Sequence, residues 1–134
     1  MTRSVLQPQG WARPKGYAHG IAATGRFVFT AGVVGWTARE VFEHRDLTGQ
    51  FRQALLNMRA ILAEGGAAPT DIVRMTCYVT SRREYLDQRA GIGAAWREVL
   101  GNFFPCMAVV EVSGLIEADA KIEIEATAVV SEER

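Results

Sequence analysis

Cysteine and histidine are scarce in this chain. It has 134 residues but only two cysteines and two histidines. The pair Cys77 and Cys106 is too few for a disulfide framework or a zinc site. His19 and His44 do not have the close spacing of paired metal ligands. We therefore expect no metal and no other cofactor.

An excess of either charge is absent as well. Fifteen Lys and Arg residues balance fifteen Asp and Glu residues, so the formal net charge is zero at pH 7. Without a basic surplus to meet phosphates, binding to nucleic acid is not expected. No apolar run approaches the roughly 20 residues that span a membrane, and no apolar signal core follows residues 1–4. The sequence predicts a soluble, cytoplasmic protein that does not bind membranes.

Apolar patterning and turn residues divide the chain into short elements. Prolines and a glycine interrupt residues 1–15, which we predict to be an irregular N-terminal arm before a single domain at 16–134. Two β-favouring runs follow at 17–23 and 26–31. The Thr-Gly pair between them is typical of a hairpin. A further short strand is predicted near Val33.

Two amphipathic helices are predicted in the rest of the chain. The first has apolar residues at helical spacing and ends at two glycines: Phe51, Leu55, Met58, Leu62, Gly65 and Gly66. The second begins at a capping box formed by Ser81 and Glu84 and carries the apolar residues Tyr85, Ile92, Trp96 and Val99. Strands are predicted at 72–79, 107–112 and 121–130, the last alternating Ile or Ala with Glu or Thr.

The order β-β-α-β-α-β-β predicts an α+β fold, with a single mixed β-sheet and two helices packed on one face. Strand residues such as Phe27, Phe29 and Val110 are apolar on both faces of that sheet. Because two helices cover only one face, the other face needs a partner, and identical subunits are the simplest partner. The sequence therefore predicts a homo-oligomer.

Several segments, in their order and spacing, resemble the RidA/YjgF family of reactive-intermediate (imine and enamine) deaminases. They are Gly16 and Tyr17, Phe-Thr-Ala-Gly at 29–32, the helix segment 50–57, Phe-Pro-Cys-Met at 104–107, Val-Glu-Val at 110–112, and 121–126. The resemblance covers residues 16–130. It implies a chorismate-mutase-like (RidA-like) fold and a homotrimer with a small-molecule cleft between each pair of subunits.

Met107 is where the chain departs from that family. Deaminating members carry Pro-Ala-Arg at the segment that begins here with Pro105, and their arginine forks onto the substrate carboxylate. A guanidinium makes a bidentate, charge-assisted contact, whereas a thioether offers only polarisable packing. We therefore expect Met107 to line a cleft that does not handle simple 2-imino acids in the usual way.

The resemblance assigns catalytic roles to Glu123 and Tyr17. Glu123 matches the acidic residue that positions the attacking water, and hydrolysis of a C=N bond needs such a water and a proton for the leaving nitrogen. The alternative for Glu123 is a solvent-facing strand glutamate like Glu125, which lies on the same side of the strand. Tyr17 matches the cleft tyrosine, and its alternative is a surface residue with its hydroxyl in water.

The remaining candidates for substrate binding are Gly32, Trp36 and Cys106. The Gly32 amide is a candidate donor to a ligand, although Ala31 lacks the hydroxyl of the family's serine. Trp36 either caps an apolar ligand or packs in the core or an interface. Cys106 adjoins the cleft motif, but no base is fixed beside its thiol, which favours packing. Gly93 occupies the place of the family's cleft asparagine.

Two functions follow from these residues. The first is a cofactor-free hydrolytic deaminase of an imine- or enamine-type metabolite other than the usual 2-imino acids. The alternative is a non-catalytic trimeric protein that binds a small molecule in its clefts between subunits. Ribonuclease activity, attributed to some relatives, is the least supported because the charges balance and there is no histidine pair or lysine cluster.

Overall fold

The computed structural model describes residues 3–132, which form seven strands, three α-helices and one 3-10 turn. The strands are β1 (Arg3–Leu6), β2 (Gly20–Ala23), β3 (Arg26–Phe29), β4 (Val33–Val34), β5 (Ile72–Val79), β6 (Cys106–Glu111) and β7 (Ile122–Val130). The helices are α1 (Leu47–Glu64), α2 (Arg82–Asp87) and α3 (Arg89–Leu100), and the 3-10 turn is Pro69–Asp71.

One main mixed sheet organises the molecule, as predicted. Its strand order is β3-β7-β5-β6, and β4 also pairs with β7. The β5–β6 pair is parallel and the other pairs are antiparallel. Helices α1 and α3 pack against each other, and α1 packs on β7. The core between helices and sheet includes Phe51, Leu55, Met58, Ile122 and Ile124, each with 1% or less of its surface exposed.

Helix α1 confirms the predicted first helix. The Asp46 carboxylate caps its N-terminus by accepting a hydrogen bond from the Gly49 amide at 3.1 Å. The amide of Gly65 then donates to the carbonyl of Leu62 as the helix ends. Cap, apolar stripe and glycine stop therefore act together, which is why the sequence located this helix well.

The predicted second helix is two helices. Ser81 Oγ accepts from the Glu84 amide at 3.0 Å, so the predicted cap is confirmed. The helix breaks at Gln88, whose side-chain carbonyl accepts from both the amide and the hydroxyl of Thr48, at 2.9 and 2.6 Å. This contact ties the break to the start of α1. It comes from a residue 40 positions away, which local periodicity does not reveal.

The N-terminal region differs from the prediction. The arm predicted as irregular includes a strand, β1, which pairs antiparallel with β2. β2 and β3 form no hairpin at Thr24 and Gly25, because β2 pairs with β1 and β3 pairs with β7. The Gly25 backbone, at φ +151°, lies so close to the Val130 carbonyl that a side chain would overlap it. Turn residues identified a change of direction but not the partners of the strands. The boundary at residue 16 stays a prediction, and residues 1–2 of the arm lie outside the described residues.

The face of the main sheet opposite the helices is open in the single chain. Phe27 and Phe29 on β3 are 57% and 66% exposed, and their rings lie 5.9 Å apart. Val110 on β6 is also exposed. We call this surface, with the outward residues of β5, β6 and β7 between its two edges, the open face.

Candidate functional site

Glu123 lies on the open face, near the start of β7. Its neighbours Ile122 and Ile124 are completely buried toward the helices, so the alternation of the strand directs Glu123 the other way. In the sheet it stands between Val34 of β4 and Tyr78 of β5. Its side chain is half-buried, which places a carboxylate where a ligand on this face can reach it.

The backbone of Gly32 lies against that carboxylate. A side chain at Gly32 would overlap Oε2 of Glu123 and lie 2.8 Å from its carboxyl carbon. The hydroxyl of Thr30 donates to the Ala31 carbonyl at 2.8 Å and accepts from the Ala126 amide at 3.1 Å, which fastens this segment to β7. Glycine therefore lets the carboxylate lie directly over the backbone.

Glu125 shares the open face but is already engaged. The hydroxyl of Tyr78 donates to Oε1 of Glu125 at 2.9 Å. This hydrogen bond raises the pKa of Tyr78, so the phenol keeps its proton. The carboxylate of Glu123, in contrast, makes no hydrogen bond with another side chain among residues 3–132. The two glutamates are thus distinguished by their partners, and Glu123 is the one available to a ligand or a water.

A cavity of about 320 Å³ lies on the opposite side of the sheet, beside α1, α3 and β6. It is lined by aromatic and apolar side chains with two cations: Lys15, Gly16, Tyr17, Phe51, Tyr85, Arg89, Ile92, Gly93, Trp96, Phe104, Met107 and Val109. The volume is in the range of small-molecule sites. We call it the aromatic cavity.

Met107 and Tyr17 both line the aromatic cavity. Met107 pairs with the buried Met75 and packs against the core. The Ala18 amide donates to the Pro105 carbonyl at 3.0 Å, which brings Tyr17 beside β6. The ring of Tyr17 meets His19 edge-on, with centroids 5.5 Å apart. Two residues that the resemblance implied to be cleft residues therefore share one cavity.

Trp96 and Phe104 stack at one wall of the aromatic cavity, with centroids 5.7 Å apart and ring planes 13° apart. Nε1 of Trp96 donates to the Phe103 carbonyl at 2.9 Å, so its one polar atom is satisfied. Tyr85 is partly buried, and burial raises the pKa of its hydroxyl, which stays a neutral phenol. The cavity thus offers ring surfaces and few polar atoms.

The other sequence candidates lie elsewhere. Cys106 precedes Met107 on β6 and faces the open side, where its strand partner is the exposed Arg74. Trp36 packs on Phe42 with centroids 5.6 Å apart, and its carbonyl accepts from the Asn57 side chain at 2.7 Å. Trp36 does not line the aromatic cavity. These contacts give Trp36 a packing role within the chain.

The six candidate residues therefore divide into two groups and one outlier. Glu123, Gly32 and Cys106 lie on the open face, Tyr17 and Met107 lie at the aromatic cavity, and Trp36 lies at neither. Gly93 also lines the cavity. Sequence reasoning missed Arg89 and Tyr85, because a helix residue signals a cavity only when the neighbouring elements are known.

Cys77, the other cysteine, is a buried structural residue rather than a reactive thiol. Cys77 is fully buried, and desolvation raises its pKa to about 12, so it carries a neutral thiol. Within residues 3–132, no group of three or more His, Cys, Asp or Glu side chains lies close enough together to hold a metal ion. No helix in the same stretch is long and apolar enough to cross a membrane.

Comparison with known proteins places these features in a family. Residues 11–130 match the family model described as Endoribonuclease L-PSP. The chain is 31% identical over 129 residues to the 2-iminobutanoate/2-iminopropanoate deaminase of Salmonella typhimurium, covering 96% of this chain and 98% of that protein. The crystal structure of YyfB from Yersinia pestis, a Rid family protein of unknown function, superposes with a TM-score of 0.82 at 30% identity, covering 97% and 100% of the two chains.

A further structure agrees. The YjgF gene product of Escherichia coli superposes with a TM-score of 0.66 at 32% identity, covering 84% of this chain and 87% of that one. Both the sequence match and the fold extend over most of the chain. The chain therefore belongs to the Endoribonuclease L-PSP family, the family also known as YjgF/RidA.

Proposed function

We propose that this protein is a cofactor-free hydrolytic deaminase of an imine- or enamine-type small metabolite. The observation that carries the proposal is the Glu123 carboxylate, which lies against the Gly32 backbone and is not bonded to another side chain of the described chain. Its strand neighbour Glu125, in contrast, is held by Tyr78. Relatives at about 30% identity named imine deaminases support the same reaction class.

The chemistry needs only a placed water and a route for protons. Water adds to the carbon of the C=N bond, and Glu123 takes a proton from that water as the C–O bond forms. The same carboxyl group returns the proton to the nitrogen. Glu123 next takes the proton of the new hydroxyl group and passes it to the nitrogen, and the C=O bond forms as the C–N bond breaks. The products are one carbonyl compound and one ammonia for each water consumed. The substrate is neither oxidised nor reduced in this reaction.

A complete site requires two chains. Glu123 and the aromatic cavity are on opposite faces of one sheet, so a ligand cannot touch both within one subunit. We propose that the open face of one subunit meets a neighbour, so that Glu123 of one chain faces the aromatic cavity of the next. The exposed rings of Phe27 and Phe29 support such a contact. The homotrimer implied by the resemblance supplies this arrangement three times.

The substrate differs from those named for the relatives. The Salmonella protein is a 2-iminobutanoate/2-iminopropanoate deaminase by name. The resemblance places a carboxylate-binding arginine where this chain has Met107. Without that charge, a short 2-imino acid has no partner for its carboxylate at this point, and a buried unpaired charge is strongly unfavourable. We propose a substrate with a larger apolar body.

The test is ammonia release from freshly generated imines and enamines, with the purified protein compared with buffer. We expect acceleration for at least one bulky substrate and a loss of roughly 10²- to 10⁴-fold in kcat for Glu123→Gln. Glu125→Gln is the matched control on the same face and should keep most of the activity. Rates equal to buffer for every substrate would remove the catalytic proposal.

Met107→Arg tests the reason for the altered specificity. If only the missing guanidinium excludes short 2-imino acids, this variant gains activity on 2-iminopropanoate while the unsubstituted protein has little. A variant that remains folded but gains nothing would show that Met107 alone does not set the specificity.

The alternative is a trimeric binding protein without catalysis, and the observation that favours it is the same Met107. Its cavity can hold an apolar metabolite without any reacting group. A ligand that raises the melting temperature with no ammonia or other product would favour this function.

A further inference from the structure

The aromatic cavity carries its own positive charge, away from the position of the missing arginine. Two of its lining residues, Lys15 and Arg89, are cations, and none of the lining residues is acidic. We propose that the cavity binds carboxylic acids with an aromatic body, and that Arg89 holds the carboxylate in place of the arginine lost at Met107. This inference rests on the site described under the proposed function and names the class of molecule that enters it.

Arg89 is positioned to act as such an anchor. It is the first residue of α3, just after the break at Gln88. Its Nε donates to the Leu86 carbonyl at 2.9 Å, which fixes the stem of the guanidinium to the end of α2. The two terminal nitrogens make no hydrogen bond or salt bridge with any residue between 3 and 132. They are therefore available to a ligand.

The nearby acidic and polar groups are engaged with other residues. Asp87 pairs with Arg83, with nitrogen and oxygen 3.8 Å apart. Glu84 accepts from Nζ of Lys121 at 2.7 Å. The side-chain oxygen of Gln88 accepts from Thr48. Arg89 thus has no internal carboxylate that a ligand would have to displace.

The walls of the cavity favour an aromatic group as the part of the ligand that does not contact Arg89. Five of the lining residues are aromatic: Tyr17, Phe51, Tyr85, Trp96 and Phe104. Because the indole nitrogen of Trp96 is already bonded, this residue presents only its ring. Rings favour offset or edge-on contact with another ring, which adds to the gain from burying apolar area. An aromatic group fits these walls better than a polar chain.

The charge of the ligand follows from the same lining. A guanidinium with two free terminal nitrogens matches the two oxygens of a carboxylate and forms a bidentate, charge-assisted contact. Lys15 adds a second positive charge at the same cavity. A cationic ligand would be repelled by both, and a neutral one would leave the fork of Arg89 unused.

The experiment measures binding rather than turnover. The probes are 3-phenylpropanoate and its neutral amide, 3-phenylpropanamide, titrated by calorimetry into the assembled protein. All chains carry Glu123→Gln, so that the result does not depend on whether the protein is an enzyme. On this background we compare Arg89→Gln with Arg82→Gln, a matched control whose side chain is exposed, outside the cavity and not the partner of Asp87.

We expect the carboxylate to bind about tenfold more tightly than the amide, and Arg89→Gln to remove that preference. Arg82→Gln should leave both affinities unchanged. Carboxylate binding that is unaffected by Arg89→Gln would overturn the proposal, as would equal binding of the two probes or no binding of either. Circular dichroism and the melting temperature establish that each variant is folded. Failure of catalysis with intact Arg89-dependent binding would reject the enzyme and keep this inference.

Discussion

At Gly32 a missing side chain creates the space that the carboxylate of Glu123 occupies. The contact involves the far end of a flexible side chain, so a methyl group there displaces the carboxylate rather than the backbone. A substitution at Gly32 can therefore move the Glu123 carboxylate without destabilising the fold. This distinguishes Gly32 from Gly35, where a side chain would overlap the backbone of Gln50 and disturb the fold itself.

We predict that Gly32→Ala lowers the deaminase rate by at least tenfold while the melting temperature changes little. The reason is that a Cβ at this position overlaps the carboxyl group, and small displacements of a catalytic group have large effects on rate. Steady-state kinetics and thermal unfolding measure the two quantities. An active Gly32→Ala variant would contradict the placement of Glu123 as the reacting carboxylate.

The resemblance assigned the catalytic role to Glu123, but the alternation of the strand alone could not separate Glu123 from Glu125. Alternation along β7 placed both on one face, which is correct. What separates them is the hydrogen bond from Tyr78, a residue of another strand 47 positions away. Arg89 was missed for a similar reason, since its surroundings are assembled from β6, α1 and the N-terminal segment.

Gln50 shows how one side chain of α1 fixes the loops around the site. It is 1% exposed, and its amide nitrogen donates to the carbonyls of His44 and Asp119 at 3.1 and 2.9 Å. Its oxygen accepts from the Lys121 amide at 2.7 Å. One buried amide thus joins the segment before α1 to the segment that leads into β7.

We predict that Gln50→Leu lowers the free energy of unfolding by roughly 2–4 kcal/mol, because three part-buried backbone groups lose their partner. Urea denaturation measures this loss. Gln53→Leu is the matched control on the same helix, where only an i,i+4 bond to Asn57 is lost, and we expect less than about 1 kcal/mol. Equal effects of the two substitutions would contradict the role of Gln50.

The elements that the sequence predicted well are those with several local signals in agreement. The first helix has an N-terminal cap, an apolar stripe and a glycine at its end, and the last strand alternates from Ile122 to Ala128. The errors occurred where contacts between residues distant in the sequence determine the structure. β1 pairs with β2, and Thr48 bonds to Gln88 at the break between α2 and α3. Local patterns report a residue's preferences but not its partner.

The whole molecule presents a sheet face with exposed apolar side chains at both edges, which no helix within residues 3–132 covers. Phe29 and Phe27 lie side by side there, and Val110 is exposed on the same sheet. We predict that the protein is a trimer in solution, and that Phe29→Asp shifts it toward single chains because it places a charge in an apolar contact. Light scattering coupled to gel filtration reports the mass. Single chains in the unsubstituted protein would contradict the shared site.

In the proposed oligomer, each reacting site combines Glu123 of one subunit with the aromatic cavity of another. This arrangement is tested by mixing two inactive variants. One is Glu123→Gln. The other is Gly93→Trp, which places an indole at a lining residue where an added Cβ meets only the Arg97 side chain, at 3.3 Å.

The two variants are unfolded and refolded together in equal amounts, and ammonia release is compared with each variant treated alone. If subunits share sites, random mixing makes about one quarter of the clefts intact, with Glu123 from one chain and an open cavity from the other. We expect recovery of about a quarter of the original activity. Mixed oligomers with no more activity than either variant alone would contradict it.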